Sequence, residues 1–139
     1  MRRLATMSDM RSLSLAAVGG TLLLALTSCS APPAHADEAT AAGEAVFRRN
    51  CMVCHTTDGK NRVGPTLAGV YGRKAGTQAA FANQYSDANK NSNLVWDDEH
   101  LDAYLASPAT AMPGNKMAYA GLKNPNDRRA LIAYLKTLK

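Results

Sequence analysis

Ala39, Ala42, Gly43, Val46 and Phe47 recur at i, i+3, i+4, i+7 and i+8, which lays one apolar stripe along a helix. Asp37 and Glu38 precede it, where acids favour a helix N-terminus. A second buried face comes from Leu101, Tyr104 and Leu105. Asp97 is its expected N-cap, Asp98 and Glu99 occupy the first turn, and Ser107-Pro108 ends it. Leu131, Tyr134, Leu135 and Leu138 give a third stripe, on a helix expected to start at Asn126 behind Pro125. Lys136 and Lys139 suit its C-terminal dipole. Between the first two helices, residues 56–93 hold no sustained period and are punctuated by Gly, Pro and Asn. Short helical turns are expected within this stretch, around 65–70. A loop so long needs a use in a compact domain, and wrapping a bound group would supply one. Nothing alternates with the period of a strand. The pattern predicts an all-α domain of about three main helices with long loops.

Upstream the pattern changes. Arg2, Arg3 and Arg11 precede an apolar run at 13–27, followed by small residues, which is the layout of a secretory signal peptide. The run is shorter than the roughly 20 residues a spanning helix needs, and Gly19-Gly20 interrupts it. Two cleavage sites compete. Ala34-His35-Ala36 would release a domain of residues 37–139, leaving 1–36 as signal. Leu26-Thr27-Ser28-Cys29 resembles a lipobox, which would make Cys29 a lipidated first residue and 30–36 a short tether. The expectation is an exported bacterial protein in the periplasm, soluble or held to a membrane only through that lipid.

Length and charge add bounds. The chain has 139 residues and a formal charge of +5, enough for one domain. The first 36 residues carry +2 of that charge, and the remainder, with 13 basic and 10 acidic residues, carries +3. So mild a balance, with no basic run interleaved with aromatics, argues against nucleic acid as a partner. Aromatics are few, so a flat apolar cofactor would be a useful addition to the core.

Cys51-Met52-Val53-Cys54-His55 names such a cofactor. C-x-x-C-H is the pattern for covalent c-type haem attachment. Residues i, i+3 and i+4 share one face of a helical turn, so Cys51 and Cys54 can reach two vinyl groups while His55 rises beneath the iron. A zinc half-site or a redox disulfide would use the same cysteines. Zinc lacks further ligands, since no cysteine follows Cys54 and His100 is the one later histidine. A thioredoxin-like site lacks its βαβ context.

Gly64-Pro65, Gly72-Arg73-Lys74, Asp87-Ala88-Asn89-Lys90-Asn91, Trp96, Pro113-Gly114-Asn115-Lys116-Met117 and Leu131-Ile132-Ala133-Tyr134-Leu135-Lys136 extend the match. Together they resemble the class I cytochromes c, closest to the mitochondrial type and its bacterial relatives, over nearly all of 43–138. The resemblance implies the class I cytochrome c fold around one covalent haem c. It implies thioethers at Cys51 and Cys54, His55 as proximal iron ligand, and the Pro65 carbonyl on the other ring nitrogen of His55. Met117 is implied as sixth ligand, with the Tyr104 hydroxyl near its sulfur. Met112, immediately before Pro113, is the alternative methionine. Arg73, Tyr85 and Trp96 would contact the propionates, with Asn89 in the same polar network. Gly43 and Phe47 would pack on Leu131 and Tyr134.

The implied function is one-electron transfer between redox proteins by a monomeric carrier, without catalysis. The family's cationic docking ring is thin here: Arg62, Lys116 and Lys123 match it, while Ala45, Asn50, Ala109, Thr110 and Asn124 stand where lysines are common. Two other readings compete: a haem enzyme or sensor with an open sixth site, and an accessory haem subunit of a larger oxidoreductase.

Overall fold

A computed structural model describes residues 34–139. The apolar run at 13–27 and Cys29 lie outside them. Among the described residues the fold is helical: α1 Ala34–Asn50, a 3-10 helix Ala79–Gln84, α2 Asp87–Asn91, α3 Asp98–Ala106, α4 Pro108–Ala111 and α5 Pro125–Thr137. A single antiparallel bridge between Lys74 and Val95 is the one β feature there. No described helix is long and apolar enough to cross a membrane.

The three stripes read from the sequence are α1, α3 and α5. The main packing is α1 against α5, where Val46, Phe47, Leu131, Ile132 and Leu135 are all buried. Phe47 and Tyr134 stack tilted across this interface, ring centroids 5.8 Å apart. The helices come this close because residue 43 lacks a side chain. A Cβ there would run into the Ala130 backbone and lie 2.7 Å from the Tyr134 Cβ. The helical cost of that glycine, about 1 kcal/mol, is offset by the close approach it permits.

Three boundaries differ from expectation. α1 begins at Ala34, so Ala34-His35-Ala36 forms its first turn rather than a segment ahead of it. α5 begins at Pro125, with Asn124 as N-cap: Asn124 Oδ1 accepts the Asn126 N–H at 2.9 Å. Proline at the first helical position loses nothing, because that N–H has no intrahelical partner and the ring fixes a helical φ. Residues 65–70 form turns, not helix; the short helices of the long loop are instead the 3-10 segment and α2. α3 starts as predicted, with Asp97 Oδ1 accepting the His100 N–H at 2.9 Å. Pro108, which stops α3, is reused as the first residue of α4.

Candidate haem site

α1 ends at Asn50, but the chain makes one more turn. The Cys51 and Met52 N–H groups donate to Phe47 O at 2.8 and 3.1 Å, and His55 N–H donates to Cys51 O at 2.9 Å. That turn carries Cys51, Cys54 and His55 to one wall of a cavity of about 390 Å³. The volume suits one cofactor-sized ligand. Neither cysteine is in a disulfide. Burial, and then the neighbouring Cys54, push the Cys51 thiol up to about 11, so it is neutral at pH 7.

The following loop is braced onto this turn. Gly64 N–H donates to Cys54 O and Arg62 N–H to Gly64 O, both at 2.9 Å. The brace brings the Pro65 carbonyl to 2.7 Å from His55 Nδ1. A carbonyl only accepts, so the proton sits on Nδ1 and Nε2 keeps a free lone pair. Burial lowers the His55 pKa, outweighing the opposing effect of the Pro65 bond, and so favours the neutral, ligating ring. Gly64 makes room for that ring: a Cβ there would lie 2.8 Å from Nδ1 and 2.9 Å from Nε2.

Arg73, Tyr85, Asn89 and Trp96 also line the cavity. The Arg73 guanidinium donates from Nη1 to Ala68 O at 3.0 Å and from Nη2 to Thr66 O at 3.2 Å. Burial lowers its pKa, with Tyr85 acting in the opposite sense. Among the described residues no carboxylate pairs with it. A half-buried cation with two backbone bonds and no anion suits an acidic ligand group. Tyr85 packs edge-on against Phe81 at 5.1 Å, and Asn89 Nδ2 donates to Ser86 Oγ at 3.1 Å.

Tyr104 and Met117 complete the lining. Tyr104 packs edge-on against Trp96 at 4.8 Å, and burial pushes its phenol up to about 12. Its hydroxyl donates to Asn115 Oδ1 at 3.4 Å, the same oxygen that accepts the Met117 N–H at 2.8 Å. Met112 is 6 % exposed, packed in the core, and does not line the cavity. The lining therefore combines two thiols, an imidazole with its lone pair free, a thioether, and a cation without an anion. That donor set fits haem c.

Comparison with known proteins agrees. The family model described as cytochrome c matches residues 40–139. The chain belongs to the cytochrome c family. Cytochrome c2 iso-2 of Magnetospirillum molischianum is 59 % identical over 90 residues, covering 64 % of this chain and 91 % of the relative. Cytochrome c2 of Blastochloris viridis is 45 % identical over 115 residues, covering 81 % of this chain and 87 % of the relative. Among solved structures, cytochrome cH from Methylobacterium extorquens superposes with a TM-score of 0.66 at 46 % identity, covering 70 % of this chain and 97 % of that one.

This cytochrome c thus brings every residue named from the sequence for cofactor binding to one cavity, Pro65 through its carbonyl. The cationic residues divide. Lys116 lines the cavity and is exposed. Arg62 is exposed and its Nη1 donates to Met52 O at 2.9 Å. Lys123 does not line the cavity; its ammonium donates to Ala106 O at the end of α3, 2.9 Å away. Sequence reading missed Ser86, a buried hydroxyl on the cavity wall that caps α2 by accepting the Asn89 N–H at 3.2 Å. The signal for it was the serine immediately before the Asp87-Ala88-Asn89 run. It also missed Val53 and Val63, each 78 % exposed, Val63 on the cavity wall.

Proposed function

We propose that His55 and Met117 are the axial ligands of the iron in this cytochrome c, and that Cys51 and Cys54 hold the cofactor by thioethers. Each thiol would add S–H across a vinyl C=C, forming one S–C and one C–H bond with no change of redox state. The protein itself is a monohaem one-electron carrier and not an enzyme, as its family membership establishes. The haem iron, once bound, supplies a reversible Fe(III)/Fe(II) couple. The single observation that carries the ligand reading is His55 Nδ1–H donating to Pro65 O at 2.7 Å, which leaves Nε2 for the metal on the cavity wall that Met117 also helps form.

The chain's own residues then do three things. His55 and Met117 would both hold the iron and leave no site for a substrate, and a thioether ligand would raise the potential. The apolar lining lowers the local dielectric and favours the less charged state of the site. Arg73, Tyr85, Trp96 and Asn89 give the acidic groups of the cofactor a cation and polar partners. Arg62 and Lys116 would orient acidic redox proteins weakly, with Lys123 a further cation for docking.

Residues 1–36 are read as an export signal and 37–139 as the mature, monomeric domain in the periplasm, with lipidation of Cys29 as the rival arrangement. An intact mass of the protein from its native host tests these readings together. One haem on a chain starting at Asp37 is expected. A lipid-modified chain starting at Cys29 refutes the free carrier, and a mass without haem refutes covalent attachment.

A further inference from the structure

A methionine thioether is a neutral, weak ligand, so its hold on a metal depends on what keeps its loop in place. Among the described residues, no backbone hydrogen bond ties residues 116–121 to another segment. The single bond within them is Tyr119 N–H to Met117 O at 2.9 Å, and the next anchor is Leu122 N–H to Leu105 O at 2.7 Å. The Met117 N–H has one acceptor, the side chain of Asn115.

That side chain is fully used. Asn115 Oδ1 accepts the Met117 N–H at 2.8 Å and the Tyr104 hydroxyl at 3.4 Å. Its Nδ2 donates to Pro108 O at 2.9 Å and to Met112 O at 2.8 Å. Two donors and two acceptor lone pairs exhaust the capacity of an amide. The backbone supports the geometry: Asn115 N–H closes a turn onto Met112 O at 3.1 Å through Pro113 and Gly114, whose φ of 85° suits glycine. One amide thus links α3, α4 and the segment carrying Met117.

We propose that Asn115 is the positioning residue that keeps Met117 at the iron; this rests on the reading of Met117 as the sixth ligand. Asn115 touches no cofactor atom in this account. It sets the equilibrium between methionine-bound and methionine-free states. An exogenous ligand of ferric iron binds only the methionine-free state, so its apparent affinity rises with that state's population.

The test is imidazole titration of the ferric holoprotein, alongside the near-red methionine–iron charge-transfer band. Asn115→Ala removes all four bonds and is expected to tighten apparent imidazole binding roughly tenfold or more while weakening the band. Asn115→Ser is expected to lie between, because a hydroxyl can close the short turn onto the Met117 N–H but cannot reach the Pro108 and Met112 carbonyls. It also carries the test if the alanine variant does not fold. Ile132→Val, a core change in α5 away from the cavity, should lower the unfolding midpoint with imidazole affinity unchanged. Wild-type imidazole affinity in both Asn115 variants, with the band absent in Met117→Ala, overturns the role of Asn115 alone. A band that survives Met117→Ala but is lost in Met112→Ala overturns the ligand assignment instead.

Discussion

Replacing Gly64 by alanine is normally a mild or stabilising change where φ permits, gaining about 0.4–1 kcal/mol by restricting the unfolded chain. Here the opposite is expected. The new Cβ would lie 2.8 Å from His55 Nδ1 and 2.9 Å from Nε2, and neither partner is free to retreat. The Gly64 backbone is pinned by its bonds with Cys54 O and Arg62 N–H, both 2.9 Å. The ring is pinned by the 2.7 Å bond to Pro65 O. Relief by displacement of roughly half an ångström or more would stretch the Pro65 bond. Overpacking costs about 1–3 kcal/mol and a weakened buried hydrogen bond about 1 kcal/mol, against the gain above. The net is a destabilisation of about 2 kcal/mol. Urea unfolding of ferric holoprotein would read it as a lower midpoint at unchanged slope, with an altered ferric spectrum because the imidazole has turned. An unchanged or raised midpoint would refute the claim that residue 64 is glycine because of His55.

Arg128 binds Asp102 through Nε at 2.7 Å and Nη2 at 3.3 Å, and donates from Nη1 to Leu122 O and Lys123 O at 2.9 and 3.0 Å. Arg128→Leu should lower stability by about 1–3 kcal/mol in urea unfolding, since Asp102 is half-exposed and partly recovers its hydration. Burial holds the Tyr104 phenol at about 12 against an ordinary 10, so the folded state keeps a proton that the unfolded chain loses. Its stabilising contribution is complete below pH 10 and declines between pH 10 and about 12; Tyr104→Phe should remove about 2–3 kcal/mol of that alkaline loss in pH-dependent unfolding. Charge reversal of Arg62 and Lys116 together should slow oxidation of the ferrous protein by ferricyanide severalfold at low ionic strength. The difference should vanish at high salt; a deficit that persists there would point to damage rather than lost steering.

The donor residues that gather at the cavity were readable from bond chemistry. Cys51, Cys54, His55 and Met117 are soft or imidazole donors in a fixed order, and Gly64-Pro65 marks the backbone that meets the imidazole. The helices α1, α3 and α5 were readable because each is long enough to repeat its apolar spacing. α2 and α4 have five and four residues, too short to show a period, so only the turn chemistry around them was visible. The N-cap of α5 is Asn124 rather than Asn126, two equally good caps by type; Pro125 at the first helical position decides between them. Asn115 carries no role in the sequence beyond its place in the Pro113-Gly114-Asn115-Lys116-Met117 motif. That its amide meets four partners depends on α3 and α4 converging on it, and no local pattern encodes that convergence. Val53 and Val63 show the reverse case, apolar residues that the fold leaves exposed, Val63 of them on the cavity wall.

We propose that His55 and Met117 both hold the iron, which would leave this cytochrome c no place for a substrate. The ferric spectrum of the wild-type holoprotein, compared with Met117→Ala and Met112→Ala, tests it most directly. The account predicts a near-red methionine–iron charge-transfer band in wild type and in Met112→Ala, and none in Met117→Ala. A wild-type protein without the band would mean an open or differently filled sixth position, and would contradict the account.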